Sequence, residues 1–177
     1  MKKTDRTLPA THHPGKSSLG FTLVELMVTL AVLAIALAIA IPSYQGLTRS
    51  ARLTTVSNEL VSSLALARSE AVRRGKTVKV CKADANASTP VCSATADWAQ
   101  GWLVEVGGTV LRTVQINSTG ITISSAVDEV VFNPNGSSSG AATITVSIAD
   151  CVSGESNAKR EISVSGTGRA SVGKGSC

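Results

Sequence analysis

From Gly20 to Ile41 the chain reads Gly-Phe-Thr-Leu-Val-Glu-Leu-Met-Val-Thr-Leu-Ala-Val-Leu-Ala-Ile-Ala-Leu-Ala-Ile-Ala-Ile, and beyond Glu25 its only residue that is not apolar is Thr29. At ~1.5 Å per residue, a helix over Phe21 to Ile41 is about 30 Å long, the thickness of a bilayer's hydrocarbon core. The segment can therefore cross a membrane. Glu25 conflicts with that setting, because a carboxylate in hydrocarbon costs several kcal/mol (roughly 3 on insertion scales) unless it is neutralised or paired. Between Lys16 and Arg49 the chain has no Lys or Arg to pair with it. A cut between Gly20 and Phe21 frees an α-amino group four residues from Glu25, at helix-neighbour spacing. In a packed assembly the amine of one subunit can then meet Glu25 of the next.

Beyond Pro42 the pattern turns amphipathic. Leu53, Val56, Leu60, Leu64, Ala67 and Ala71 recur at three- and four-residue intervals, while Arg49, Arg52, Asn58, Arg68 and Arg74 fall mostly on other faces. Gly75 supplies a stop, and Arg73 and Arg74 suit the negative end of the helix dipole. The expectation is one continuous helix of about 50 residues whose second half lays an apolar stripe on a globular domain. From Lys76 onward short β-branched or alternating runs take over: 77–82, 101–106, 110–116, 121–124, 130–132, 143–148 and 161–165. Turn-rich stretches separate them at Gly107-Gly108, 117–120, 133–140 and 153–157, and the glycines at 173 and 175 are also read as turns. The fold class is α+β, a long N-terminal helix packed on an antiparallel sheet. Its segments are 1–20, 21–48 as the transmembrane half of the helix, 49–75 as the amphipathic half, and 76–177 as a β-rich domain.

Cysteine and histidine usage bound the chemistry. The four cysteines, Cys81, Cys92, Cys151 and Cys177, all lie beyond the helix. Loop proximity favours the pairs Cys81–Cys92 and Cys151–Cys177, each worth about 3 kcal/mol by loop entropy. The second would tether a Gly-rich tail over 166–176. A zinc site is the rival, but the chain has no Cys-x-x-Cys and no His after position 13, so no metal or other cofactor is expected. Removal of residues 1–20 leaves no His, which excludes Ser-His-Asp and Cys-His catalysis. Asp128 and Glu129 would face opposite sides of a strand and read as solvated edge charges. Trp98 and Trp102 read as core or rim packing. No enzyme is expected.

The chain carries a formal charge of +5. Of this, +3 sits in residues 1–20 (Lys2, Lys3, Arg6 and Lys16 against Asp5), leaving +2 beyond Gly20. Residues 49–82 then hold eight basic groups against Glu59 and Glu70, and the plainest reading is a solvated helix face. The basic 1–20 segment suits a leader retained on the cytoplasmic side. An ordinary secretory signal competes, since Ala36-Leu37-Ala38 and Ala38-Ile39-Ala40 space small residues for signal peptidase. The Glu inside the apolar run and the helical pattern continuing past any such cut weigh against it.

Lys16, Gly20, Phe21, Thr22, Leu23, Glu25, the apolar run and Pro42 together resemble the class III signal and N-terminal helix of type IV pilins and type II secretion pseudopilins. The resemblance implies that a prepilin peptidase cuts after Gly20 and methylates the new N-terminal Phe21. It also implies that Glu25 guides assembly by pairing with a neighbouring N-terminus, and that Pro42 marks a local break in the helix. A second set of segments is similar to the FimT, FimU and GspH minor pilins: Ala67-Arg68-Ser69-Glu70-Ala71-Val72, Val80-Cys81, Asp97-Trp98 with Gly101-Trp102-Leu103-Val104, Phe132-Asn133-Pro134-Asn135-Gly136, and Gly168-Arg169. Their shared order spans nearly the whole chain. The implied function is a minor pilin incorporated into, or priming, a type IV pilus. Its partners would be other major and minor pilins, the prepilin peptidase and an inner-membrane assembly platform. The implied location is a bacterial inner membrane, single-pass, with the C-terminal domain periplasmic, and then the fibre. A GspH-like secretion pseudopilin is the alternative. Some FimT proteins take up DNA through a C-terminal Gly-Arg-x-Arg; here Arg169 is present and the second Arg is Ser171. Lys174 could add a phosphate contact, but no aromatic residues interleave with these charges, so DNA stands as the lesser alternative.

Overall fold

The computed structural model describes residues 20–84, 87–117 and 119–177, with positions 42 and 43 described by backbone alone. The reading of a basic leader falls, but for Gly20, outside the described residues. The chain divides into two units, Met1–Pro42 and Ser43–Cys177. Helix α1 (Leu23–Arg74) supplies the helical part of the first unit and opens the second. It is helical through position 42, where proline's missing N–H removes one backbone bond without ending the helix. The break implied at Pro42 is thus no terminus. The helix ends where the sequence places its stop. Gly75 adopts φ +62° and the Lys76 N–H reaches back to the Ala71 carbonyl at 3.3 Å, a Schellman closure.

Eight strands follow: β1 (Val78–Lys82), β2 (Gly101–Val106), β3 (Thr109–Gln115), β4 (Ile121–Ser125), β5 (Glu129–Phe132), β6 (Ala142–Ile148), β7 (Lys159–Val164) and β8 (Ala170–Gly175). They form two antiparallel sheets, ordered β3-β2-β1-β5 and β4-β6-β7-β8, rather than one. The glycine-rich stretch read as a tail held by its disulfide is a strand, and Gly173 and Gly175 lie within it rather than in turns. Its pairing with β7 runs from Val164↔Ala170 to Lys159↔Gly175 without a bulge, so backbone hydrogen bonds to a well-buried neighbour overcome poor strand propensity.

The predicted helical stripe is the core's spine. Leu53, Val56, Leu60, Leu64, Ala67 and Ala71 are all buried. They share one cluster with Val78, Val80, Trp102, Val104 and Phe132 of the first sheet and Ile144, Val146, Ile162 and Val164 of the second. Each fully buried Leu or Ile contributes about 1.5–3 kcal/mol by burial. Both tryptophans belong to this core, each with its indole N–H satisfied. Trp102 Nε1 donates to Ser63 Oγ at 2.9 Å, Ser63 donates to the Glu59 carbonyl at 2.9 Å, and Trp98 Nε1 donates to the Val127 carbonyl at 3.0 Å. Among the described residues no buried side-chain nitrogen or oxygen lacks a partner.

Leu103 alternates with Trp102 and Val104 and so faces the other side of the first sheet. There it packs with Cys81, Ala83 and Cys92 in a small second cluster. The Cys81–Cys92 disulfide (Cα–Cα 5.5 Å) and the Ala83↔Cys92 bridge hold the intervening loop to that sheet. Cys151–Cys177 (Cα–Cα 6.0 Å) ties the chain after β8 to the loop before β7, and Cys177 exchanges backbone hydrogen bonds with Gly154 and Glu155. Both pairings match the expectation from loop proximity.

Arg68 departs from the reading of a solvated helix face. Its Nε donates to the Gly136 carbonyl at 2.9 Å and its Nη2 to the Thr167 carbonyl at 3.1 Å. The guanidinium thus joins α1, the β5–β6 loop and the β7–β8 turn. The two loops touch beneath it: a Cβ on Gly168, which sits at φ +78°, would overlap the Gly136 carbonyl oxygen. Gly168→Ala is expected to destabilise the detergent-solubilised chain by at least about 2 kcal/mol through left-handed strain and overlap. Urea unfolding checks this, and an unchanged midpoint contradicts the close approach. The double change Cys151→Ser with Cys177→Ser should cost about 3 kcal/mol and speed amide exchange over residues 170–175 ahead of the rest of the second sheet. Uniform exchange across that sheet contradicts the tether.

Candidate assembly site

At the N-terminus, Gly20 and Phe21 precede the helix and are exposed, Phe21 at 83 %. The Glu25 N–H donates to Thr22 Oγ1 at 3.2 Å, so Thr22 is the helix cap and Glu25 stands in the first turn. A Thr-x-x-Glu spacing is the sequence signature of a capping box, and it would have identified Thr22 from the sequence. Glu25 is exposed, and its carboxylate has no ion-pair partner among the described residues. The one hydroxyl in the apolar run is satisfied internally, Thr29 Oγ1 donating to the Leu26 carbonyl at 2.8 Å. All other side chains from Leu26 to Ile41 are apolar and none is buried. This is the one helix among the described residues long and apolar enough to cross a membrane. A helix apolar on every side needs a cover of lipid or of other helices.

The basic groups of the second unit are largely committed. Glu70 accepts from Arg73 and Arg74, and these hydrogen bonds, led by that from Arg73, hold its carboxyl down at about 2. The group's contribution to stability is therefore in place at neutral pH and is lost as pH falls from about 4.5 toward about 2. Lys79 loses some hydration to burial, but Glu105 (3.1 Å) and Glu129 (3.5 Å) outweigh this and raise its pKa. Asp128 binds Lys82 at 2.7 Å, so the adjacent acids read as solvated edge charges are ion-paired, each to a different lysine. Arg112 reaches Glu59 and Ser62 on α1. Cys81, Cys92 and Glu105 lie close enough to resemble a metal site, but both cysteines are spent in a disulfide.

Arg169 lies exposed in the β7–β8 turn, while Lys174 lies near the far end of β8, about 16 Å away by strand rise. The two residues named as DNA contacts are not brought together. Three of the family-like segments are. Ala67–Val72 on α1, Asn135-Gly136 after β5 and Gly168-Arg169 before β8 converge around the Arg68 guanidinium.

Known proteins share these features. The family described as type II transport protein GspH matches residues 56–168, and the prokaryotic N-terminal methylation motif matches residues 15–41. Two curated relatives, both fimbrial proteins of Pseudomonas aeruginosa, are 43 % identical over 63 residues, 36 % of this chain. The chain spans 40 % of the length of those relatives. Among solved structures, the type IV minor pilin FimU of P. aeruginosa matches in two crystal forms. The TM-scores are 0.54 and 0.50 at 22 % and 20 % identity, covering 68 % of this chain and 87 % and 91 % of FimU. That likeness shows a shared fold. With the GspH match taking in most of the second unit and the methylation motif ending at Ile41, the chain belongs to the GspH family of minor pilins and pseudopilins.

Proposed function

We propose that this chain is a minor pilin incorporated into, or priming, a type IV pilus after a prepilin peptidase cuts between Gly20 and Phe21 and methylates Phe21. The observation that carries the reading is the exposed apolar first half of α1, opened by Thr22 and by a Glu25 with no ion-pair partner among the described residues. Cleavage puts a cationic N-terminus on one subunit, and Glu25 of the adjacent subunit neutralises it in a medium of low dielectric. Residues 26–41 then form the fibre's apolar interior, and before assembly they anchor the chain in the inner membrane with residues 76–177 in the periplasm. An oxidising periplasm suits the two disulfides. The partners are the other major and minor pilins, the peptidase and the inner-membrane assembly platform. The role is structural, with no catalytic step.

One observation favours a second reading. The longest family match is to a type II transport protein, so the same subunit physics could serve a secretion pseudopilus. The two machines differ in what a deletion abolishes, surface fibres or export of folded proteins.

Glu25→Ala is expected to insert and be cleaved normally yet be recovered in fibres at a tenth or less of the parental level, about 1.4 kcal/mol or more of lost pairing. Immunoblots of membrane and sheared-fibre fractions measure this, and parental incorporation would sink the pairing argument. Gly20→Glu should leave the chain at its uncut size; a mature-sized product contradicts the assigned cleavage site.

A further inference from the structure

The second sheet ends on a strand with a free edge. β8 pairs with β7 alone, and no other backbone group among the described residues is hydrogen-bonded to it. The edge of β5, by contrast, is partly closed by the Phe132↔Ser138 bridge and the hydrogen bond from the Ser139 N–H to the Val131 carbonyl. Sheet edges are usually guarded by proline, bulges or charge; β8 has no proline, runs without a register shift and carries one charge, Lys174. It leaves about 20 Å of unpaired backbone donors and acceptors.

The apolar face of this sheet also extends past its cover. Ile162 and Val164 of β7 are buried, but their β8 partners are not: Val172 is 47 % exposed and Ala170 half-buried. Facing Ala170 across a groove of about 630 Å³ are Val61, Leu64 and Val72 of α1, the last 56 % exposed. Two cations bracket the strand. Arg169 precedes it and Lys174 lies within it, and neither side chain has an acidic partner among the described residues.

We propose that β8 is a docking edge for an extended, acidic segment of a neighbouring subunit. The segment adds a fifth strand to the sheet, seats an apolar side chain in the groove, and sets carboxylates against Arg169 and Lys174. The proposal rests on the minor pilin reading, which supplies the neighbour. A second copy of this chain is the poorer occupant. Antiparallel self-pairing centred on Val172 sets Lys174 of one copy beside Ala170 and Arg169 of the other, like charges without a counter-ion. DNA is poorer still, because no aromatic side chain lines the groove for bases to stack on, and Arg68 and Arg73 beside Arg169 are already bonded within the fold.

The test places a benzophenone amino acid at Val72 of the full chain in its own cells and maps the photoadduct by mass spectrometry. The expected product joins Val72 to another pilin subunit through a peptide alternating apolar residues with Asp or Glu. Val172→Glu, at an exposed site that keeps the fold, should lower the yield roughly tenfold or more, as should Arg169→Glu with Lys174→Glu. Val152→Glu, elsewhere on the surface, should not. A chain present in sheared fibres with no Val72 adduct overturns the docking edge and leaves the pilus reading standing. A yield unchanged by Val172→Glu, or an adduct to DNA, overturns it as well. The subunit adduct recovered from cells whose fibres lack the chain supports the docking edge and contradicts the pilus reading.

Discussion

The governing constraint is an apolar helix that no described residue covers. Residues 26–41 present aliphatic side chains in every direction, and a polar solvent cannot hold such a surface stably. Lipid can cover it, and so can copies of similar helices, and exchanging one for the other costs little because both are equally apolar. In the proposed assembly, what decides the exchange is the pair formed by Glu25 and a neighbour's N-terminus. On that proposal, a carboxylate that lipid penalises becomes an asset when a neighbour brings an amine, and the pair would give the segment a direction and a register as well as an affinity.

The second unit answers a different problem, that of turning one helical stripe into a folded domain. The stripe from Leu53 to Ala71 meets two four-stranded sheets, and one buried cluster includes all three elements. Arg68 then locks the β5–β6 loop to the β7–β8 turn, with Gly136 and Gly168 making the room. This explains why three family-like segments lie far apart in the chain yet in one place on the surface. They specify a joint. The same joint borders the groove and opens onto β8, so a rigid joint and a free strand edge occur side by side.

Much of this was legible in the residues. The stripe is readable because a buried helical face repeats at the helical period, and all six of its residues are buried. Gly75 is readable because only a residue tolerant of positive φ ends a helix this way, and the disulfides follow from proximity along the chain. Phe21 and Glu25 stand out because a carboxylate in an apolar run demands a reason. What stayed hidden depends on pairing across the chain. Strand propensity marks strands but not their neighbours, so the residues suggest one sheet where there are two. Ser, Gly and Lys carry little β signal, so the residues of β8 alone suggest tail and turn, and its conformation comes from β7. Arg68 sits off the apolar stripe and reads as solvated until Gly136 and Thr167 are placed beside it.

The most direct test of assembly through the apolar helix compares sheared surface fibres from a deletion strain and its complemented parent, probed for this chain in the fibre fraction. The account predicts fibres lost or sharply reduced on deletion, and the mature chain present in the parental fibres. Unchanged fibres that lack the chain would contradict a role in the pilus and turn attention to exported proteins trapped in the periplasm, the deficit a secretion pseudopilin would leave.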